Sequence, residues 1–194
     1  MKKFIIGLTV LLIFLLTFNV VGFSTIIDIG AAATNRTSEK FTGTYMVIVN
    51  PADGTGKITS VEIYAVTGYN LTLVEVATFY VVSGNFLSTR DWEYIGNVTA
   101  GSKQTFVVDL DVVAGDYIGI YFASGGKIEA DSTGTYMSKA GDNIPCTNVE
   151  FGSPVAGTIS LYGTGETVAA GIKWNTQTIS KWDEQVITKW NGLE

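Results

Sequence analysis

Carboxylates and tryptophans are the side chains of this chain whose spacing can support chemistry. Asp109 and Asp111 stand two residues apart, as do Asp91 and Glu93, and on a strand each pair falls on one face. Two acids facing a cleft at roughly 5–9.5 Å are what glycoside hydrolysis requires. On an exposed strand the same spacing describes a solvated face. Asp109, Asp111 and Asp116, with Asp131, also offer oxygen ligands to calcium, although no twelve-residue calcium loop is present. Other routes are closed by composition. The chain has no histidine, which removes the commonest general base, most zinc sites and the Ser-His-Asp triad. Cys146 is the single cysteine and has no imidazole to activate it. It is either buried as a small hydrophobe or available for pairing between molecules. Neither a phosphate-cradling loop nor a dinucleotide fingerprint occurs. The expectation is therefore a non-enzymatic protein with no cofactor other than calcium.

The sharpest pattern is a repeat near the C-terminus. Lys173-Trp174-Asn175, Lys181-Trp182-Asp183 and Lys189-Trp190-Asn191 recur every eight residues. On a helix eight residues leave about 80° beyond whole turns, so the rings diverge. On a strand they share a face and, fully extended, lie ~26 Å apart. Trp174, Trp182 and Trp190 then either pack on the protein itself or form a contact arm, since Trp anchors dominate interfaces and suit sugar faces. Trp92, beside Arg90, is the candidate for a second binding rim. Three sequons, at Asn35, Asn70 and Asn97, are about as many as a Thr-rich chain produces by chance.

These residues need a scaffold, and the sequence describes an all-β one. Of 194 residues 46% are hydrophobic and 15% charged, with 22 glycines; so few charges and so many turn-formers point to short strands with tight connections. Val61, Ile63 and Ala65 alternate with polar neighbours, giving a strand with one buried face. Leu73 to Val82 is a continuous apolar run, suited to a central strand buried on both faces. Thr89–Val98 and Lys103–Val112 look like a pair joined at residues 99–102, with Phe106, Val108, Leu110 and Val112 on one face. Further strands are expected at Thr25–Gly30, Gly43–Asn50, Asp116–Ala123, Lys127–Asp131, Thr158–Tyr162 and Glu166–Ile172. Such even spacing indicates two packed antiparallel sheets of jelly-roll type, with an enclosed barrel as the alternative.

Ahead of this body, Lys2 and Lys3 precede an apolar run from Phe4 to Phe23, the pattern of an export signal in helical form. Gly22 and Ser24 fit a cleavage site before Thr25. An uncleaved anchor is the alternative, and both place the remainder outside. The expected organisation is a signal over residues 1–24, a sandwich over 25–172 and a Trp-repeat tail over 173–194. Residues 25–172 hold seven Lys/Arg against fifteen Asp/Glu, a net of −8, which leaves no footprint for nucleic acid.

The stretches Gly101-Ser102-Lys103-Gln104-Thr105-Phe106 and Ala114-Gly115-Asp116-Tyr117-Ile118-Gly119-Ile120-Tyr121 resemble the paired late strands of extracellular jelly-roll domains. The tail is similar to Lys-Trp-Asn repeats that end some phage and bacterial surface proteins. The resemblance covers about Ile58 to Gly163 plus the tail. It implies a surface or particle protein; from the residues themselves, the expected partners are other copies of the chain or a cell-surface or matrix component, glycan included. The resemblance carries over no catalytic residue, and membrane contact is expected only through the N-terminal segment if it is uncleaved.

Overall fold

The computed structural model describes residues 24–167, together with the backbone of 173–174 and 177–178. The expected signal helix, and the side chains of Trp174, Trp182 and Trp190, lie outside the described residues. Twelve strands belong to one compact unit, Thr25–Val168. They are β1 (Ile26–Ala31), β2 (Ser38–Lys40), β3 (Gly43–Val47), β4 (Gly56–Tyr64), β5 (Leu71–Ser83), β6 (Phe86–Val98), β7 (Lys103–Val112), β8 (Tyr117–Phe122), β9 (Ile128–Lys139), β10 (Val149–Glu150), β11 (Val155–Ile159) and β12 (Leu161–Thr167). Two short strands outside that unit, β13 (Lys173–Trp174) and β14 (Gln177–Thr178), pair antiparallel with Trp174 opposite Gln177.

All pairing is antiparallel, so the chain is all-β as its composition indicates. One sheet has the order β1-β12-β4-β7 and the other β10-β6-β5-β8-β3-β9-β11, with β2 alongside the first part of β9. Residues of both sheets share a core that includes Ile29, Ile58, Val61, Ile63, Val76, Leu110, Ile118, Ile120 and Leu161. The expected alternation holds in β4 and β7: Val61 and Ile63, and Val108, Leu110 and Val112, are buried.

β5 lies between β6 and β8 and is buried on both faces from Val74 to Phe79, except at Glu75. Its even-numbered residues Val76 and Thr78 face the shared core. Ala77 and Phe79 face outward into a second cluster with Met46, Leu87, Met137, Ile144 and Phe151. Residues 140–151 cover this outer face. Gly119 is required there, because a Cβ would sit 2.6 Å from the Phe79 ring and 2.8 Å from the Tyr45 carbonyl.

The pairing expected between Thr89–Val98 and Lys103–Val112 is corrected. β6 forms its ladder with β5, through the turn at Gly84-Asn85, whereas β7 forms its ladder with β4 in the other sheet. Residues 99–102 therefore cross between sheets. The strand expected at Thr158–Tyr162 likewise divides at Ser160: β11 pairs with β9, and β12 with β1 and β4. The sheets approach each other again where Ala65 bridges to Ile128 and the Val66 amide donates to the Lys127 carbonyl at 2.9 Å.

Candidate functional site

The acids singled out by spacing are committed to structural bonds. Lys57 on β4 reaches between Asp109 and Asp111 on β7, at 3.0 and 2.9 Å. The hydrogen bonds that Lys57 donates to Asp111 and Asp109 raise its pKa. Asp116 is 3% exposed and pairs with Arg90, which holds it through Nε and, at 2.9 Å, through Nη2. The Val113 amide adds a third bond to Asp116 at 2.8 Å. Thus Asp116 turns toward Arg90 while Asp109 and Asp111 turn toward Lys57, and each carboxylate already has a cation. Among the described residues no three acids, cysteines or histidines converge as a metal site would require.

Arg90, expected on a binding rim, carries this ion pair with Asp116 and keeps about a third of its side chain exposed. It sits at a break in the β5–β6 register, opposite the step from Thr78 to Phe79, and its guanidinium also lies 5.0 Å from the Tyr80 ring. Asp91 and Glu93 have a further structural task. Glu93 Oε1 accepts the Asp109 amide at 2.5 Å, and Asp91 Oδ2 accepts the Asp111 amide at 2.8 Å. The Thr78 hydroxyl donates to the Asp111 carbonyl at 2.7 Å. The outer edge of β7 is therefore satisfied at Asp109 and Asp111 by side chains from the eight-stranded sheet. At the other edge of that sheet, the Asp28 amide donates to Asp53 Oδ1 and the Gly30 amide to the Asn50 carbonyl, both at 2.9 Å.

Trp92 stays on the surface. It lies opposite Ala77 and Tyr94 lies opposite Glu75, on the outer face of the eight-stranded sheet. They are 39% and 57% exposed. The row containing Tyr94 continues through Glu75 to Tyr121 on β8 and then to Thr44 on β3. The Thr44 hydroxyl donates to the Gly141 carbonyl at 2.8 Å, which sets the 140–143 segment over this row. Asp142 thereby lies near Glu75. Burial, and then the neighbouring Asp142 carboxylate, push the Glu75 pKa above its ordinary 4.5. One Glu75 oxygen, Oε2, is buried without a donor.

No family model matches the chain. No curated protein matches it either.

The outer face therefore stands on its own chemistry. Two exposed amphipathic rings lie on it, and Tyr94 stands opposite Glu75. Glu75 carries a signal that sequence reading passed over: it is the only charge inside the apolar run Leu73–Val82.

A second network was also missed. Arg36, inside the first sequon, bonds Asp131, the Ser160 hydroxyl at 2.8 Å and the Ala32 carbonyl at 2.7 Å. Burial alone would raise the Asp131 carboxyl, but hydrogen bonds from Thr133 and the Arg36 guanidinium outweigh it and hold the group below its ordinary value. This network fixes the loop after β1, and Asn35 stays exposed beside it.

Proposed function

We propose that this chain is an extracellular, non-enzymatic contact module, a jelly-roll-type sandwich that serves a structural or adhesive role. The observation that carries the reading is the exposed Trp92–Tyr94 strip, on a domain whose neighbouring acids are already tied to Lys57, Arg90 and the β7 amides. Amphipathic rings left at the surface of an otherwise satisfied sheet are the residue types that anchor interfaces. The export-type N-terminus supports an exterior location, and the Lys-Trp repeats supply a second set of anchors. The edges of the four-stranded sheet are capped at Asp109 and Asp111 on β7 and at Asp28 and Gly30 on β1, and β11 is an outer strand of the eight-stranded sheet, where growth by strand addition meets no such caps in this reading. Electron microscopy and sedimentation of the mature chain test the reading. Filaments, particles or concentration-dependent oligomers are expected. A chain that stays monomeric at high concentration and adheres to no cell surface or matrix overturns it.

A second reading, glycan binding, is favoured by one arrangement: the exposed rings of Trp92 and Tyr94 with the Glu75 carboxyl opposite Tyr94. Rings stack on the apolar faces of sugars, and carboxyl oxygens accept their hydroxyls. Calcium is not needed for that contact, because the three aspartates considered for it already hold Lys57 and Arg90. A glycan array probed with and without calcium tests this, and no hit under either condition removes it.

A further inference from the structure

The compact unit Thr25–Val168 closes its two ends on each other at one corner of the four-stranded sheet. The Thr25 amide donates to the Thr167 hydroxyl at 2.9 Å, and the Thr167 amide donates to the Thr25 carbonyl, also at 2.9 Å. Their hydroxyl oxygens lie 3.0 Å apart. From this clasp β1 runs antiparallel to β12, from Ile26 opposite Glu166 to Ala31 opposite Leu161. The structure thus marks Thr25 as the start of the folded unit, just where the N-terminal segment ends.

The sequence marks the same bond independently. Lys2 and Lys3 lead the apolar run Phe4–Phe23, and small residues stand at Gly22 and Ser24. An export peptidase reads small side chains one and three residues before its cut, which selects the Ser24–Thr25 bond. Ala31 and Ala33 meet the same requirement, but a cut after them removes β1. Ile27 and Ile29 of that strand are fully buried, and a core that loses both side chains is strongly destabilised. A cut after Gly22 spares β1 but leaves Phe23 and Ser24 ahead of the clasp.

We propose that the Ser24–Thr25 bond is a processing site and that the new amino terminus stays seated on Thr167. Water adds across the bond under a peptidase of the exporting membrane. Its oxygen goes to the Ser24 carbonyl carbon and both its protons end on the Thr25 nitrogen, leaving a carboxylate and an ammonium. The Thr25 nitrogen keeps its bond to the Thr167 hydroxyl, now as a charge-assisted donor. Thr25 is exposed, so water reaches the other donors. The β1–β12 ladder loses nothing.

The proposal rests on the exterior location proposed above, and the test separates the two. The full chain is expressed with its own first 24 residues, and the exported protein is read by intact mass and N-terminal sequencing. The expected product spans residues 25–194 and begins Thr-Ile-Ile-Asp. Ser24→Leu places a large side chain beside the cut, outside the folded unit, and should lower processing at least tenfold. Thr167→Val removes the acceptor without moving the cut. The amide at position 167, which donates to the Thr25 carbonyl, should then exchange several-fold faster. An exported chain with a different amino terminus, or Ser24→Leu cut as efficiently as the unmodified protein, overturns the processing site. Unchanged exchange in Thr167→Val overturns the seat. A chain that is never exported removes the exterior location as well.

Discussion

The edges of the four-stranded sheet and the outer face of the eight-stranded sheet are both places where the fold could have left groups unsatisfied, and the two are treated differently. At the β7 edge, Asp91, Glu93 and Thr78 reach across from the other sheet to occupy backbone donors and an acceptor. At the β1 edge, Asp53 and the Asn50 backbone do the same, and Asp28 is held by Tyr162 and Asn50. Open sheet edges invite pairing with another chain, and charged side chains turned onto them prevent it. On the outer face, by contrast, Trp92 and Tyr94 are left exposed, and a buried Glu75 oxygen has no donor. β6 shows both treatments, with Asp91 and Glu93 pointing to the seam and Trp92 and Tyr94 to solvent. The lesson is that polarity alone does not locate a contact surface in this chain: its acids close the fold, and its aromatics are what remain available.

The comparison breaks most visibly if the seam is opened. Asp116→Ala leaves Arg90 and the Val113 amide without their acceptor at a nearly buried position. Removing one partner of such a pair costs about 3–5 kcal/mol, which denaturant unfolding would read as a large fall in midpoint. A change below about 1 kcal/mol would show that the Arg90–Asp116 pair is dispensable. Next in size is the double change Asp91→Ala, Glu93→Ala. Each lost carboxylate–amide bond is expected to cost about 1 kcal/mol, because water can partly replace it at this exposed edge. Faster amide exchange at Asp109 and Asp111 specifically would identify the bonds responsible, and unchanged exchange there would refute the capping role.

The β1 edge sharpens the same point through pH. Burial, followed by the hydrogen bond to Asp28, pushes the Tyr162 pKa up to about 12. A raised value means that the stabilisation is complete below the ordinary tyrosine value near 10 and is lost as pH climbs through about 12. Tyr162→Phe should therefore lower stability at neutral pH and unfold with a shallower alkaline dependence. An identical alkaline profile in both proteins would count against the bond.

How much of this was legible in advance follows sequence distance. The alternation in β4 and β7 predicts their buried faces because periodicity is local, and the apolar run of β5 predicts its central place in the same way, but burial on both faces holds only for Val74–Phe79, since Leu73, Tyr80, Val81 and Val82 are exposed. The split at Ser160 was not legible, since one continuous β-rich stretch serves two sheets there and only tertiary pairing divides it. Adjacency made β6 and β7 look like a ladder, yet their true partners, β5 and β4, are set by the Gly84-Asn85 turn and by the crossing at residues 99–102. Arg36 and Asp131 lie 95 positions apart, and no local pattern announces such a bond. Glu75 did carry a local signal, an isolated acid in an apolar strand, but its neighbour Asp142 comes from a distant loop.

The smallest expected effect on stability is also the one that separates the two regions most cleanly. Trp92→Ala and Tyr94→Ala remove exposed rings that close no edge, so each should change folding stability by within about 0.5 kcal/mol, or slightly more where the Trp92 ring shields Ala77. If the outer face is the contact surface, the same substitutions should sharply weaken self-association or surface binding, since truncated aromatic anchors typically cost about 2 kcal/mol or more of binding. The Asp91→Ala, Glu93→Ala protein should show the reverse, with lower stability and intact contact. Aromatic variants that lose several kcal/mol of stability would make the strip part of the fold. Aromatic variants that keep both stability and contact would move the contact surface away from β6 altogether.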